Sequence, residues 1–303
     1  MAIVLISGGT GLVGKALAKH LISAGHEVRI LSRNPKSNTE IKAYFWDVEE
    51  NKIDEEAFDG VEHIVHLAGC GIADKRWTSN RKKEIIDSRV NSMALITSVI
   101  KKKNIHLKSF VGASAIGIYG AVTSEKIYTE TDQGNEDFLS KSCELWEKSY
   151  DEIQLFSNNL SIVRIGVVLS HEGGALAKLL PLFKLGLGSA IGSGKQYMPW
   201  IHIDDLISIF STLLFNSDFK GIYNAVSPEP VNNLTFSKAL AQSLKKPFFL
   251  PPVPSIVLKL LFGEMANVLL KGSRISPQKL INSGFRYKYP NISSALNSIV
   301  TSK

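Results

Sequence analysis

Hydrophobic and polar positions follow two rhythms along this chain. Ala2-Ile3-Val4-Leu5-Ile6-Ser7 is an unbroken apolar run rich in β-branched residues, which predicts a buried strand. A glycine-rich stretch follows, Gly8-Gly9-Thr10-Gly11-Leu12-Val13-Gly14. Apolar residues then recur at helical spacing, with Val13, Leu17 and Leu21 on one face. That spacing predicts a helix from about Leu12 to Ala24, closed by Gly25. Glu27-Val28-Arg29-Ile30-Leu31 predicts a second strand. The first fifty residues also carry a second helical pattern and a short third strand, Tyr44-Phe45-Trp46. Further strands are expected at Glu62–Leu67, Ser109–Gly112 and Leu160–Arg164, with helices at Asn80–Lys102 and Phe138–Asn158 between them. Strands alternating with helices predict an α/β fold: a Rossmann-type, doubly wound parallel sheet with helices on both faces.

After about Gly166 the rhythm breaks. Gly173-Gly174, Gly186-Leu187-Gly188 and Gly192-Ser193-Gly194 punctuate short segments. Pro251-Pro252, Pro254 and an apolar helix over Ile256–Phe262 follow. The pattern divides into a dinucleotide-binding domain over 1–228 and a smaller C-terminal domain over 229–303, with 166–197 contributing to the substrate side.

The glycines suit a phosphate-binding turn. Gly9, Gly11 and Gly14 fit the dinucleotide-binding spacing, and Gly8, Gly11 and Gly14 fit its three-residue variant. They provide a tight turn, close approach of backbone to pyrophosphate, and close packing of helix on strand. The anion would sit on free N–H groups at the positive end of the first helix. Gly8, Gly9, Thr10, Gly11, Leu12 and Val13 are therefore expected to contact the cofactor. An NAD site usually has an acidic residue at the end of the second strand. Ser32-Arg33-Asn34-Pro35 stands there instead, and a guanidinium with a neighbouring hydroxyl suits a 2′-phosphate. The expectation is NADP(H) over NAD(H). Asp47, after the third strand, either accepts from the adenine amino group or caps a helix.

Ligands of such sheets bind beyond the carboxyl ends of the strands. That gathers Gly8–Gly14, Ala68–Trp77 and Ser114–Tyr119 around one crevice and adds Leu67, Ala68 and Gly69 to the expected cofactor contacts. Lys75 and Arg76 are candidates to hold an anionic substrate, as is Lys195 after its glycine turn; each could equally be a solvated surface cation.

Composition narrows the choice. The chain has 303 residues, 44% of them hydrophobic, enough for a sizeable core. No run of about 18 apolar residues is present. The N-terminus starts in a strand rather than a leader pattern. Cys70 and Cys143 are the two cysteines, too few for a disulfide framework or a metal cluster, so a reducing cytoplasm is expected. The net charge of +7 would attract an anionic cofactor or substrate. Arg81-Lys82-Lys83 and Lys101-Lys102-Lys103 fall in helical stretches and are taken as solvated faces. Neither nucleic acid nor membrane is expected as a partner.

Together these residues resemble the extended short-chain dehydrogenase/reductase superfamily, in its epimerase/dehydratase branch. The likeness rests on the glycine turn, His66-Leu67-Ala68, Asn91, Tyr119-Gly120, Arg164 near Gly166, and Gly194-Lys195-Gln196 leading to Trp200-Ile201-His202-Ile203-Asp204-Asp205. A closer likeness, to an epimerase-like family with its own C-terminal domain, rests on three blocks. They are Ile72–Thr78, Asp87–Ser92, and Gly263-Glu264-Met265-Ala266 with Pro277-Gln278-Lys279-Leu280. The resemblance implies hydride transfer with a nicotinamide cofactor and adds Arg164 to the cofactor contacts. By analogy alone it implies a homodimer through the Asn80–Lys102 and Phe138–Asn158 helices.

The superfamily's acid/base is a tyrosine with a lysine four residues on. None of the eight tyrosines here has one. Aligned on Glu147, those two positions fall near Leu139 and Cys143; aligned on Tyr119-Gly120, the usual serine position is Ala115, beside Ser114. Tyr119 and Ser114 remain as catalytic candidates, Tyr119 with a packing role as its alternative and Ser114 with a strand-end hydrogen bond. His202 is expected to be structural and Cys143 a buried helix residue. Two functions stay open: an NADP(H)-dependent epimerase-like oxidoreductase acting on a small polar substrate, nucleotide-linked compounds among the options, and a nonenzymatic NADPH-binding regulatory protein.

Overall fold

A computed structural model describes residues 1–36 and 41–301. The N-terminal half alternates strand and helix. The elements are β1 (Ile3–Ser7), α1 (Leu12–Ser23), β2 (Glu27–Ser32), β3 (Ile41–Asp47), β4 (Lys52–Ile53), β5 (His63–His66), α2 (Ser79–Lys102), β6 (Ser109–Ala115), β7 (Ile127–Tyr128), α3 (Phe138–Lys148) and β8 (Leu160–Ile165). Then come β9 (Val167–Leu169), α4 (Gly174–Lys184), β10 (Trp200–His202), α5 (Ile203–Phe215), β11 (Gly221–Ala225), α6 (Asn233–Ser243), α7 (Ser255–Phe262), α8 (Asn267–Leu270), β12 (Arg274–Ile275), α9 (Gln278–Asn282) and α10 (Ile292–Thr301).

The main sheet has the order β11-β8-β6-β5-β1-β2-β3-β4 and is parallel except for β4, which runs against β3. Chain order reverses between β1 and β5. That is the switch point, where a crevice opens beyond the strands' carboxyl ends. Both faces of the sheet are covered. Leu17, Leu21, Phe210 and Leu213 of α1 and α5 bury one face; Met93, Ile96, Ile100 and Trp146 of α2 and α3 bury the other. A third cluster joins α4, α6 and α10 through Leu176, Leu180, Leu240 and Leu296.

Two expectations are corrected and one element is added. The helix expected over Phe138–Asn158 ends at Lys148, and Asp151–Leu155 form a separate 3-10 turn. The reason is Tyr150: it is fully buried and its hydroxyl donates to the Ala113 carbonyl at 2.8 Å, so the chain turns inward there. Among the described residues up to 50, α1 is the only helix, and the second helical pattern has no counterpart among them. The edge strand β4 was not anticipated.

Candidate functional site

The turn after β1 is built from glycine because nothing larger fits. Gly8 has φ +73, and a Cβ there would lie 2.8 Å from the Leu67 carbonyl carbon. A Cβ on Gly14 would lie 2.3 Å from the Gly8 oxygen and 2.6 Å from the Gly9 Cα. The Gly8 oxygen also accepts from the Gly11 N–H at 3.0 Å, which closes the turn. Gly11 then opens α1 with no side-chain cap and no acidic residue in the first turn. The exposed Thr10 and Gly11 and the half-buried Leu12 and Val13 thus surround a helix start whose positive end faces the crevice. The start of α4 closes on the same place: a Cβ on Gly173 or Gly174 would lie 3.4 or 3.5 Å from the Leu12 side chain. The α4 N-terminus likewise has no side-chain cap.

β2 runs beside β1 with Ser7 opposite Leu31, so the residues just beyond Leu31 reach the neighbouring edge of the crevice. Ser32 is half-buried and its Oγ accepts from the Asn34 N–H at 3.2 Å. Arg33 is exposed, and among the described residues its guanidinium has no partner. Asp47 caps a turn rather than a helix: its Oδ1 accepts from the N–H groups of Glu49 and Glu50 at 2.9 and 3.1 Å.

β5 ends in Leu67-Ala68-Gly69. The Leu67 N–H donates to the Ser7 carbonyl at 3.1 Å, which fixes this segment against the glycine turn. Beneath it His66 is fully buried between two serines, with Nδ1 2.7 Å from Ser7 Oγ and Nε2 3.2 Å from Ser92 Oγ. Ser92 Oγ donates to the Arg89 carbonyl, so it accepts from Nε2–H, and Nδ1 accepts from Ser7. Burial pushes His66 down to about 3, and it stays neutral.

The charged loop after β5 is braced. Trp77 Nε1 donates to the Ile72 carbonyl at 2.8 Å, Arg81 donates to Gly71 at 2.6 Å, and Thr78 caps α2. Lys75 and Arg76 project from this brace, exposed and without ion pairs among the described residues; Arg76 lies over Gly263. Lys195 is exposed as well, on the turn after Gly194. The helix clusters differ: Lys82, Lys83, Lys101, Lys102 and Lys103 each sit on a carboxylate, those of Glu264, Asp87, Glu152, Glu55 and Asp59 in turn.

Strand register assembles a polar network at the far side of the crevice. Ser114, Arg164 and Asn224 lie side by side on β6, β8 and β11. Arg164 Nε and Nη2 each donate to the Glu147 carboxylate at 2.9 Å, and its Nη1 donates to Tyr119 Oη at 2.9 Å. Ser114 Oγ donates to Glu147 at 2.6 Å, and Tyr119 Oη donates to Asn224 Oδ1 at 2.7 Å. Burial pushes the Tyr119 phenol up to about 12, although Arg164 and Asn224 pull it down. Burial alone would lower Arg164, but the Glu147 carboxylate outweighs it and the guanidinium pKa is raised.

This geometry places three sequence candidates inside the network. Arg164, expected at the cofactor, is buried and committed to Glu147 and Tyr119. Tyr119 is 1% exposed and its hydroxyl is used internally, by Asn224 and Arg164. Ser114 is 1% exposed, with its proton given to Glu147. Leu139 and Cys143 pack on Gly117, each 3.5 Å from where its Cβ would stand, and burial pushes the Cys143 thiol up to about 12. His202 is structural: it caps α5 by accepting from the Asp204 N–H and lies 3.9 Å from the Tyr289 ring. Glu147, Asn224 and the α4 start were not among the expected residues. A glutamate on the inward face of α3, at helical spacing from Ser140 and Cys143, together with an arginine inside a buried strand, is the signal that would have marked the ion pair.

Among the described residues no helix is long and apolar enough to cross a membrane, and no cluster of His, Cys, Asp or Glu could hold a metal ion. A glycine turn at the switch point, an uncapped helix above it, and a second helical portion closing the crevice define an extended dinucleotide-binding α/β protein. More narrowly, the chain belongs to the NAD dependent epimerase/dehydratase family. That family's model matches residues 4–144, and the domain of unknown function DUF1731 matches 253–299. The epimerase family protein YfhF of Bacillus subtilis is 35% identical over 303 residues, covering 99% of this chain and 98% of that protein. The human epimerase family protein SDR39U1 is 34% identical over 300 residues, covering 98% and 99%. The crystal structure of human SDR39U1 (isoform2) with NADPH superposes with a TM-score of 0.88 at 32% identity, over 99% of this chain and 100% of that one. A UDP-glucose 4-epimerase of Thermus thermophilus in complex with NAD, at 20% identity and TM-score 0.75, covers 99% of this chain and 100% of that one and shares the fold.

Proposed function

We propose that this chain binds NADP(H) over the β1–α1 turn and works as an epimerase-like oxidoreductase on a small, polar, anionic substrate. The observation that carries this is the pairing of an uncapped α1 start, built from glycines without room for a Cβ, with the exposed Arg33 at the end of the adjacent strand, whose guanidinium has no partner among the described residues. The NADPH-bound human relative supports the same cofactor. The N–H groups of the turn and of α1 would hold the pyrophosphate, and Ser32 and Arg33 the 2′-phosphate. Leu67, Ala68 and Gly69 would wall the dinucleotide. Lys75, Arg76 and Lys195 would draw in an anionic substrate. When bound, the nicotinamide supplies hydride exchange.

One observation favours a second reading. The hydroxyls of Ser114 and Tyr119 both donate inside the Glu147–Arg164 network, which leaves neither free to protonate a carbonyl. On that reading the chain binds NADPH as a regulatory protein. Absorbance at 340 nm separates the two. Protein loaded with NADPH should oxidise it in the presence of some member of a panel of phosphorylated and nucleotide-linked carbonyl compounds. Tight NADPH binding without turnover across the panel would reject the oxidoreductase and leave the regulator.

A further inference from the structure

Large exposed apolar side chains collect on one part of this molecule. Helix α7 has one buried residue, Leu258, while Ile256, Val257, Leu260 and Leu261 are 66, 40, 72 and 60% exposed. At about 100° per residue, those four fall within an arc of roughly 140°, with Lys259 about 60° beyond it and the half-buried Phe262 opposite. Leu185 and Leu187, just after α4, and Phe249, just before α7, are also more than half exposed. The two segments adjoin. A Cβ on Gly186 would lie 3.6 Å from Pro247, and Gly192 and Val253 are linked by a backbone hydrogen bond of 2.9 Å.

The charge of this region is one-sided. Residues 173–203 and 230–263 contain no aspartate or glutamate. Their exposed lysines include Lys184, Lys195, Lys245, Lys246 and Lys259, none of these with an ion pair among the described residues. The lysines on α2, by contrast, are neutralised by carboxylates. A second copy of this chain would bring lysines against lysines with no carboxylate between them. An anionic bilayer surface offers what the patch lacks: acyl chains for the leucines and headgroup charge for the lysines.

We infer that α7 and the loops after α4 and before α7 form a docking face for an anionic lipid surface. This revises the sequence expectation that no membrane is involved. The contact is peripheral, with the apolar side chains reaching the acyl boundary and the lysines at headgroup level. Through Gly263, packed under Arg76, the docked helix adjoins the charged loop of the crevice. The inference does not depend on the cofactor.

The test is co-sedimentation of the full chain with vesicles, without nucleotide. Vesicles of phosphatidylcholine with a minority of phosphatidylglycerol should carry the protein down, with affinity at least about ten-fold above that for phosphatidylcholine alone and reduced by salt. Ile256→Glu with Leu260→Glu should lower binding at least about ten-fold. Lys245→Glu with Lys246→Glu should lower it and flatten the salt dependence. All four positions are exposed, so melting temperatures should stay unchanged. Three outcomes would overturn the inference: no sedimentation with anionic vesicles, equal binding by the variants, or a wild-type dimer that the α7 substitutions convert to monomer.

Discussion

Glu147 and Arg164 face each other across the α3–β8 contact in a two-pronged ion pair, both bonds at 2.9 Å, with side chains only 11 and 5% exposed. Removing one member leaves the other charged and buried, which typically costs about 3–5 kcal/mol. Arg164→Leu should therefore lower unfolding free energy by about that much. Glu147→Gln keeps an acceptor for the guanidinium and should cost less. Urea denaturation of the two variants measures both.

Gly14 tests the cofactor turn. A Cβ there would strike the Gly8 oxygen and the Gly9 Cα, both backbone, so the turn or the helix must shift. Gly14→Ala should destabilise by about 1–3 kcal/mol and weaken NADPH binding at least about ten-fold. Gly25→Ala is the control. Its φ of +85 is strained for alanine, but nothing lies within 4 Å of the new Cβ, so it should cost about 1 kcal/mol and leave binding intact.

Tyr119→Phe removes a hydroxyl that serves both Asn224 and Arg164. Leaving those buried groups short of a partner should cost about 1–3 kcal/mol. With its phenol pushed up to about 12, Tyr119 stays protonated through neutral pH. Any turnover should therefore show no step between pH 7 and 9 that Tyr119→Phe abolishes; such a step would return this residue to the chemistry.

Acid should destabilise the fold through its buried histidines. Burial pushes His66 down to about 3, and His63 and His202 down to about 4, from an ordinary 6.5. Between those values and 6.5 the unfolded chain binds more protons than the folded one, so stability present above pH 6.5 is lost as pH falls. The slope approaches about 1.4 kcal/mol per pH unit for each histidine. Denaturation midpoints at pH 7.5, 6 and 5 should fall in that order; a flat profile would contradict the buried neutral state.

The nucleotide half was legible from the chain because each part carries its own local signal. The β1 run, the glycines and the period of α1 specify strand, turn and helix without help from distant residues, and Leu12–Ser23 matches its expected range within one residue. The Glu147–Arg164–Tyr119–Asn224 network was not legible. Its members lie up to 105 positions apart, and only the parallel register of β6, β8 and β11, with α3 and the turn after β6 packed on those strands, brings them together. The end of α3 was hidden for a related reason: Tyr150 and Ile153 keep a helical period while a tertiary hydrogen bond to Ala113 turns the chain. Lys75 and Arg76 were placed on the correct loop, but the brace from Trp77 and Arg81 that makes them project depends on contacts with Ile72 and Gly71.

Isothermal titration of NADPH and NADH into wild type and Arg33→Ala is the most direct measurement. If the uncapped α1 start and Arg33 form the site, NADPH binds wild type at least about ten-fold more tightly than NADH, and Arg33→Ala removes that preference while NADH affinity is unchanged. Equal affinity for the two nucleotides in wild type, or an NADPH preference that survives Arg33→Ala, would contradict it.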